Sequence, residues 1–213
     1  MTDAPSPSTG ENPVVTIFEQ YGAGADAIGR AVAEKLGYPY HQQAFSSAEL
    51  EGGSDTALDS LENRAMLAQV FAVMGGAYGG FAGRDVVTTQ AEKRDLVSRN
   101  NDDVRRFARE GGVIVGRNAA LILASRPRTV HVLLTGDLED RIQRAAKVDG
   151  ISVEQARTRQ RREDRVRRDM SEILYGWDPM QADRYDLVIN TSRIRESSAV
   201  AAIVDAVRAA EAE

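Results

Sequence analysis

Cysteine is absent from this chain of 213 residues, which excludes disulfides, thiol nucleophiles and thiolate metal sites. Histidine is nearly absent too. Only His41 and His131 occur, far apart in sequence, so neither a histidine metal cluster nor a serine–histidine hydrolase is expected. His131 lies within Thr-Val-His-Val-Leu-Leu and reads as a strand residue with a satisfied hydrogen bond. No apolar run approaches the roughly 18 residues that a membrane span requires. The opening residues have neither a basic n-region nor an apolar h-region, which argues against secretion and makes a cytoplasmic protein the expectation. A basic surplus is also missing: 27 Lys and Arg face 32 Asp and Glu, a formal net charge of −5. That balance disfavours nucleic acid as a partner.

What is present is an ordinary globular composition, with 42% hydrophobic and 28% charged residues. Residues 1–12 are rich in Pro, Ser and Thr and read as a disordered tail. Residues 13–213 suit a single domain. Short Val- and Ile-rich runs at Val14–Phe18, Gly112–Gly116, Thr129–Leu134 and Asp186–Asn190, with a weaker one at Tyr38–Gln42, have the pattern of parallel strands buried on both faces. Helical periodicity separates them, so an α/β three-layer sandwich with a mostly parallel five-stranded sheet is expected.

Residues 43–110 break this alternation with a helical insertion. It includes a long pattern over Thr56–Met74, a second helix at about Thr88–Arg109, and five glycines within residues 75–83 that read as a mobile loop. The long helix suits burial within the monomer or packing on a partner, which leaves the oligomeric state open. After the last strand, Asn190-Thr191-Ser192 offers capping side chains. Val200, Ile203, Val204 and Val207 then mark an amphipathic helix.

Two stretches carry chemistry. Val14–Leu36 reads as strand, glycine turn and helix start, the order that cradles a phosphate on backbone N–H groups. Gly22, Ala23, Gly24, Ala25 and Asp26 form its turn. Residues 157–168 hold seven arginines, with Arg157, Arg161, Arg165 and Arg168 on one helical stripe and Val166, Met170 and Ile173 on the opposite one. The stripe is either a solvated face or a lid over 157–176 that lays guanidinium groups on phosphates.

Four stretches in order resemble the cytidylate kinase-like family of P-loop nucleoside monophosphate kinases: Gln20-Tyr21-Gly22-Ala23-Gly24, Val113-Ile114-Val115-Gly116-Arg117-Asn118, Arg161–Arg168, and Tyr185-Asp186-Leu187-Val188-Ile189-Asn190-Thr191-Ser192. The resemblance spans about Val14–Val207. It implies a P-loop kinase-like core with a helical monophosphate-binding insertion and an arginine-rich lid. It also implies phosphoryl transfer from ATP with Mg2+ to a nucleoside monophosphate (CMP-like) or a related small acceptor. By the same resemblance, Arg161, Arg165 and Arg168 are lid contacts on the moving phosphoryl, with Asp164 orienting them. Arg117 and Asn118 bind the acceptor, and Arg84 borders it.

The P-loop pattern G-x-x-x-x-G-K-[ST] is degenerate in this chain. Aligned on Gly24, Glu19 stands for the first glycine, Ala25 for the lysine and Asp26 for the serine or threonine. Asp26 either holds magnesium or competes with the phosphate; alternatively it is a helix-start carboxylate without a ligand. Asn118 replaces an aspartate of the resembling kinases. Two readings follow: an active kinase-like phosphotransferase, or a catalytically silent nucleotide sensor or scaffold that retains the fold.

Overall fold

The Val- and Ile-rich runs become the strands of one sheet because each is apolar toward both faces. The computed structural model describes residues 11–44, 68–74 and 86–212. The expected 56–74 helix is therefore seen only over 68–74, and the glycine stretch 75–83, Arg84 and most of the tail lie outside the described residues. The strands are β1 (Val14–Glu19), β2 (Tyr40–His41), β3 (Gly112–Val115), β4 (Thr129–Thr135) and β5 (Leu187–Asn190). Their order is β2-β3-β1-β4-β5, and every pairing is parallel. The edge strand β2 is shorter than its expected 38–42. Pro39 has no N–H to give the ladder; its carbonyl accepts from Val113 instead, at 2.9 Å.

Besides the helical stretch 68–74, the described residues include α1 (Ala25–Leu36), α2 (Val86–Glu110), α3 (Ala119–Ile122), α4 (Leu138–Asp149), α5 (Val153–Tyr175) and α6 (Glu196–Glu211). Side chains alternate along β1. Val15 and Ile17 pack with Val113, Val115, Val132 and Leu134 under Ile28 and Val32 of α1 and Val200, Ile203 and Val204 of α6. Val14 on the opposite face joins Ile114 beneath Val104 and Ala108 of α2. Each such fully buried Val, Leu or Ile contributes about 1.5–3 kcal/mol. Both faces of the central strands are thus covered, giving the three layers that the periodicity predicts, while Val188 on edge strand β5 stays exposed. His131 is buried in this core beside the Thr16 hydroxyl, with Nδ1 and Oγ1 2.7 Å apart.

Helix α5 begins with a capping box, Ser152 with Gln155, and ends at Gly176 in the left-handed conformation. No break sets residues 157–176 apart from its first turn. The side chains of Asn190–Ser192 close a turn, and the last helix starts a few residues later. Asn190 Oδ1 accepts from the Ser192 N–H at 2.9 Å, and α6 starts only at Glu196.

The strand order also positions the site. From β1 the chain passes to β2, beyond β3; from β3 it passes to β4, on the other side of β1. β1 and β3 are parallel neighbours in that order, so their carboxyl ends, at Glu19 and Gly116, stand side by side at one edge of the sheet.

Candidate functional site

The turn after β1 is held in place by two helices. The Asp164 carboxylate accepts from the Tyr21 N–H at 2.7 Å, from Arg141 Nη1 at 3.0 Å and from Gln160 at 2.8 Å. Arg141 also donates to the Tyr21 carbonyl at 2.9 Å, and Arg144 donates to the Gly22 carbonyl at 2.6 Å and to the Thr191 carbonyl and hydroxyl. Asp164 therefore pins the turn. It makes these bonds to Arg141 and the Tyr21 amide, and not to the arginines of the outer stripe. Gly22 (φ +80°) has a packing reason of its own, since a Cβ there would lie 2.3 Å from the Arg141 carbonyl oxygen.

The amides expected to cradle a phosphate are engaged within the chain. Glu19 Oε2 accepts from the Gly24 N–H at 3.1 Å and from the Ala25 N–H at 2.9 Å. Ala25, aligned with the P-loop lysine, is buried in the core together with Ala23. Asp26 is exposed. Both its oxygens lie 3.0 Å from Arg30 Nε, and it accepts from the Tyr40 hydroxyl at 2.9 Å. Burial and the bond to Asp26 raise the pKa of that phenol, so it stays a donor. Asp26 does not line the cavity described next, and the expectation that it holds a metal finds no geometric support. Among the described residues, no group of three or more His, Cys, Asp or Glu converges to hold a metal ion.

Beyond the turn, a cavity of about 100 Å³ opens at the carboxyl ends of β1 and β3. Its polar rim includes Glu19, Gln43, Arg117, Asn118 and Arg167, and its walls are apolar, from Phe18, Val70, Leu96, Val166, Met170 and Leu174. Gly116, Arg117 and Asn118 are three consecutive residues with positive φ, at 69°, 58° and 54°. Non-glycine residues rarely adopt this region, and such strain collects at functional sites. Asn100 holds the bend by donating to the Arg117 carbonyl at 2.8 Å. The Arg117 guanidinium donates from Nε to the Gln42 carbonyl at 3.1 Å and lies 5.4 Å from the centre of the Phe107 ring. Burial there pulls its pKa down. Asn118 is buried, and its Oδ1 accepts from the Ser171 hydroxyl at 2.7 Å and the Trp177 indole N–H at 2.8 Å. An amide thus ties α5 to the end of β3 through its acceptor oxygen.

The arginines of α5 are divided by its rotation on the body. Arg161, Arg165 and Arg168 are exposed, and none of them lines the cavity. Arg165 pairs with Asp169 at 3.5 Å on the same face, and Arg157 pairs with Glu139 at 2.6 Å. The arginine that does reach the cavity is Arg167, which donates to Glu163 at 3.0 Å and Gln43 at 3.1 Å and lies 3.7 Å from Glu19. A sequence signal for it exists. At 100° per residue, Arg167 falls about 20° from Leu174 and about 60° from Met170, so it borders the apolar stripe. A charged residue at that border, four residues after a glutamate, can turn inward as half of a pair.

The family model described as the cytidylate kinase-like family matches residues 14–193. A cytidylate kinase from Methanopyrus kandleri is 34% identical over 122 residues, covering 49% of this chain and 63% of that protein. A cytidylate kinase from Ignicoccus hospitalis is 33% identical over 96 residues, covering 45% and 56%. A 115-residue match at 33% identity to a uronate isomerase from Corynebacterium glutamicum covers 54% of this chain and 22% of that protein. The chain therefore spans less than two thirds of each of these curated relatives. An uncharacterized protein from Eubacterium ventriosum shares the fold, with a TM-score of 0.65 and 18% identity over 92% of this chain and 99% of its own. With the turn, the Gly116-Arg117-Asn118 bend, the arginine helix and the last strand all inside the matched span, the chain belongs to the cytidylate kinase-like family.

Proposed function

We propose that this protein binds a nucleotide and transfers the terminal phosphoryl of ATP to a nucleoside monophosphate of the CMP kind or a related small acceptor. The observation that carries this reading is the convergence of Arg117 and Arg167 on one cavity between the carboxyl ends of β1 and β3. Phosphoryl transfer needs donor and acceptor aligned and positive charge on the moving group, with little covalent help from the protein. Arg117 and Asn118 would border the acceptor. Arg167 would take the role that the resemblance implies for Arg161, Arg165 and Arg168, because it alone of these four lines the cavity. The apolar wall from Phe18 to Leu174 would exclude water from the acceptor. Magnesium would enter on the phosphates of ATP.

A second reading, the silent nucleotide sensor, draws on a separate observation. The turn amides are engaged by Glu19 and the lysine position is a buried alanine. Incubating the full chain with ATP, Mg2+ and a panel of monophosphates, with ADP formation and thermal shift as readouts, separates the two. Turnover that Arg167→Ala abolishes supports the phosphotransferase. Stabilisation by nucleotide without turnover supports the sensor, and neither effect would sink both.

A further inference from the structure

We infer that Glu19 is a built-in anion seated where the turn would hold a donor phosphate, so that a polyphosphate enters only as this carboxylate leaves; the inference rests on the nucleotide reading above. The N–H groups of Gly24 and Ala25 stand at the start of α1, where unpaired amides and the helix dipole favour negative charge. Glu19 Oε2 takes both, at 3.1 and 2.9 Å. The side chain is only 13% exposed, so it is lodged in the site and not lying across its surface.

A second observation points to the same spot. Arg167 Nη1 is buried and has no hydrogen-bond partner among the described residues. It stands 3.7 Å from Glu19 Oε1, within ion-pair range but beyond hydrogen-bond length. An unused N–H therefore faces the carboxylate from the cavity side. A rotation of the Glu19 side chain toward Arg167 would free both turn amides and give the departing carboxylate a charged partner. Glu19 would then move between an anion seat and a cation, and the arrival of a phosphate would drive the exchange. Because Glu19 also lines the cavity beside Arg117, its charge opposes any second anion at the turn until it moves. A carboxylate that only staples the turn also stabilises the fold, but its neutralisation has no reason to improve anion binding.

The test is calorimetric titration of the full chain and its Glu19→Gln variant with inorganic tripolyphosphate, with and without Mg2+. This probe needs no nucleoside recognition and no turnover. The variant is expected to bind roughly ten- to a hundredfold more tightly in both conditions, the span that one charge-assisted hydrogen bond covers. Equal or weaker binding by folded Glu19→Gln overturns the inference, as does no binding by either protein. Weaker binding confined to the magnesium arm would make Glu19 a metal ligand instead. Should the variant fail to fold, the amide NMR signals of Gly24 and Ala25 in the wild-type chain decide. Both are expected to shift as tripolyphosphate saturates, and unmoved signals at saturation overturn the inference. The two readings fail separately: wild-type turnover without a gain in Glu19→Gln removes only the built-in anion, and a gain without turnover removes only phosphoryl transfer.

Discussion

On the outer face of α5, Arg161, Arg165 and Arg168 stand exposed, and Arg165 has a neighbour of its own helix, Asp169, as its ion-pair partner. On the inner face, Glu163 and Ser171 are buried with Val166, and Arg167 bridges Glu163, Gln43 and the surroundings of Glu19. The same residue type does different work on the two faces. Exposed guanidiniums are hydrated and screened, and their ion pairs contribute about 0–1 kcal/mol each. An enclosed guanidinium acts through a lower effective dielectric and holds a fixed position. The density of arginine in a helix therefore says less about a phosphate site than the direction each one faces.

The largest effect expected from this contrast is on Arg167→Ala. In an active enzyme it should lower turnover on the order of a thousandfold, the scale of an arginine finger, read as ADP formation. Arg161→Ala with a comparable loss would reverse the assignment of faces. Next comes Asp164→Ala, which leaves the Tyr21 N–H without its acceptor and Arg141 without its carboxylate partner. It should cost about 3 kcal/mol in denaturant unfolding, because breaking a largely buried pair leaves a charge uncompensated. Asn118→Leu should cost about 2 kcal/mol, since the Ser171 hydroxyl and the Trp177 N–H lose a shared acceptor.

Smaller still, Arg161→Ala and Arg165→Ala should each stay within about 0.5 kcal/mol of wild type and keep its activity. The smallest effect is a pH dependence on the outer face. The hydrogen bond from Arg157 and its charge lower the Glu139 pKa. The contribution of this pair is therefore present above the unfolded carboxylate range and lost as pH falls through the folded value. As Glu139 is exposed, melting curves of wild type and Glu139→Gln across acidic pH should nearly coincide. A clear divergence would show that the outer face carries more than hydration.

Much of the fold is legible in the sequence because its signals are local. Continuous apolar runs mark parallel strands covered on both faces, and the glycine turn marks the end of β1. The Gly116-Arg117-Asn118 stretch marks the sheet edge where the cavity opens. The site is less legible. The expected outer stripe is a sound helical pattern, but periodicity fixes only the relative angles of residues around α5. It puts Arg167 beside the apolar stripe, but only the docking of the helix against Val70, Leu96 and α4 decides that this arginine reaches the cavity. Gly22 likewise reads as a phosphate-approach glycine, whereas its close neighbour is the Arg141 carbonyl from a helix well over a hundred residues later.

By itself, then, the sequence determined the alternation of strands and helices, the family resemblance and the missing lysine of the turn, all properties of neighbouring residues. Only the tertiary structure decided the strand order, the inward arginine and the seat of Glu19. Each of these depends on contacts between segments far apart in the chain, or on which of several nearby donors a side chain selects. Glu19 and Gly24 are five residues apart, yet the sequence shows only a glycine exchanged for an acid. Once the turn is folded by Asp164, Arg141 and Arg144, that acid accepts from two amides at the start of α1.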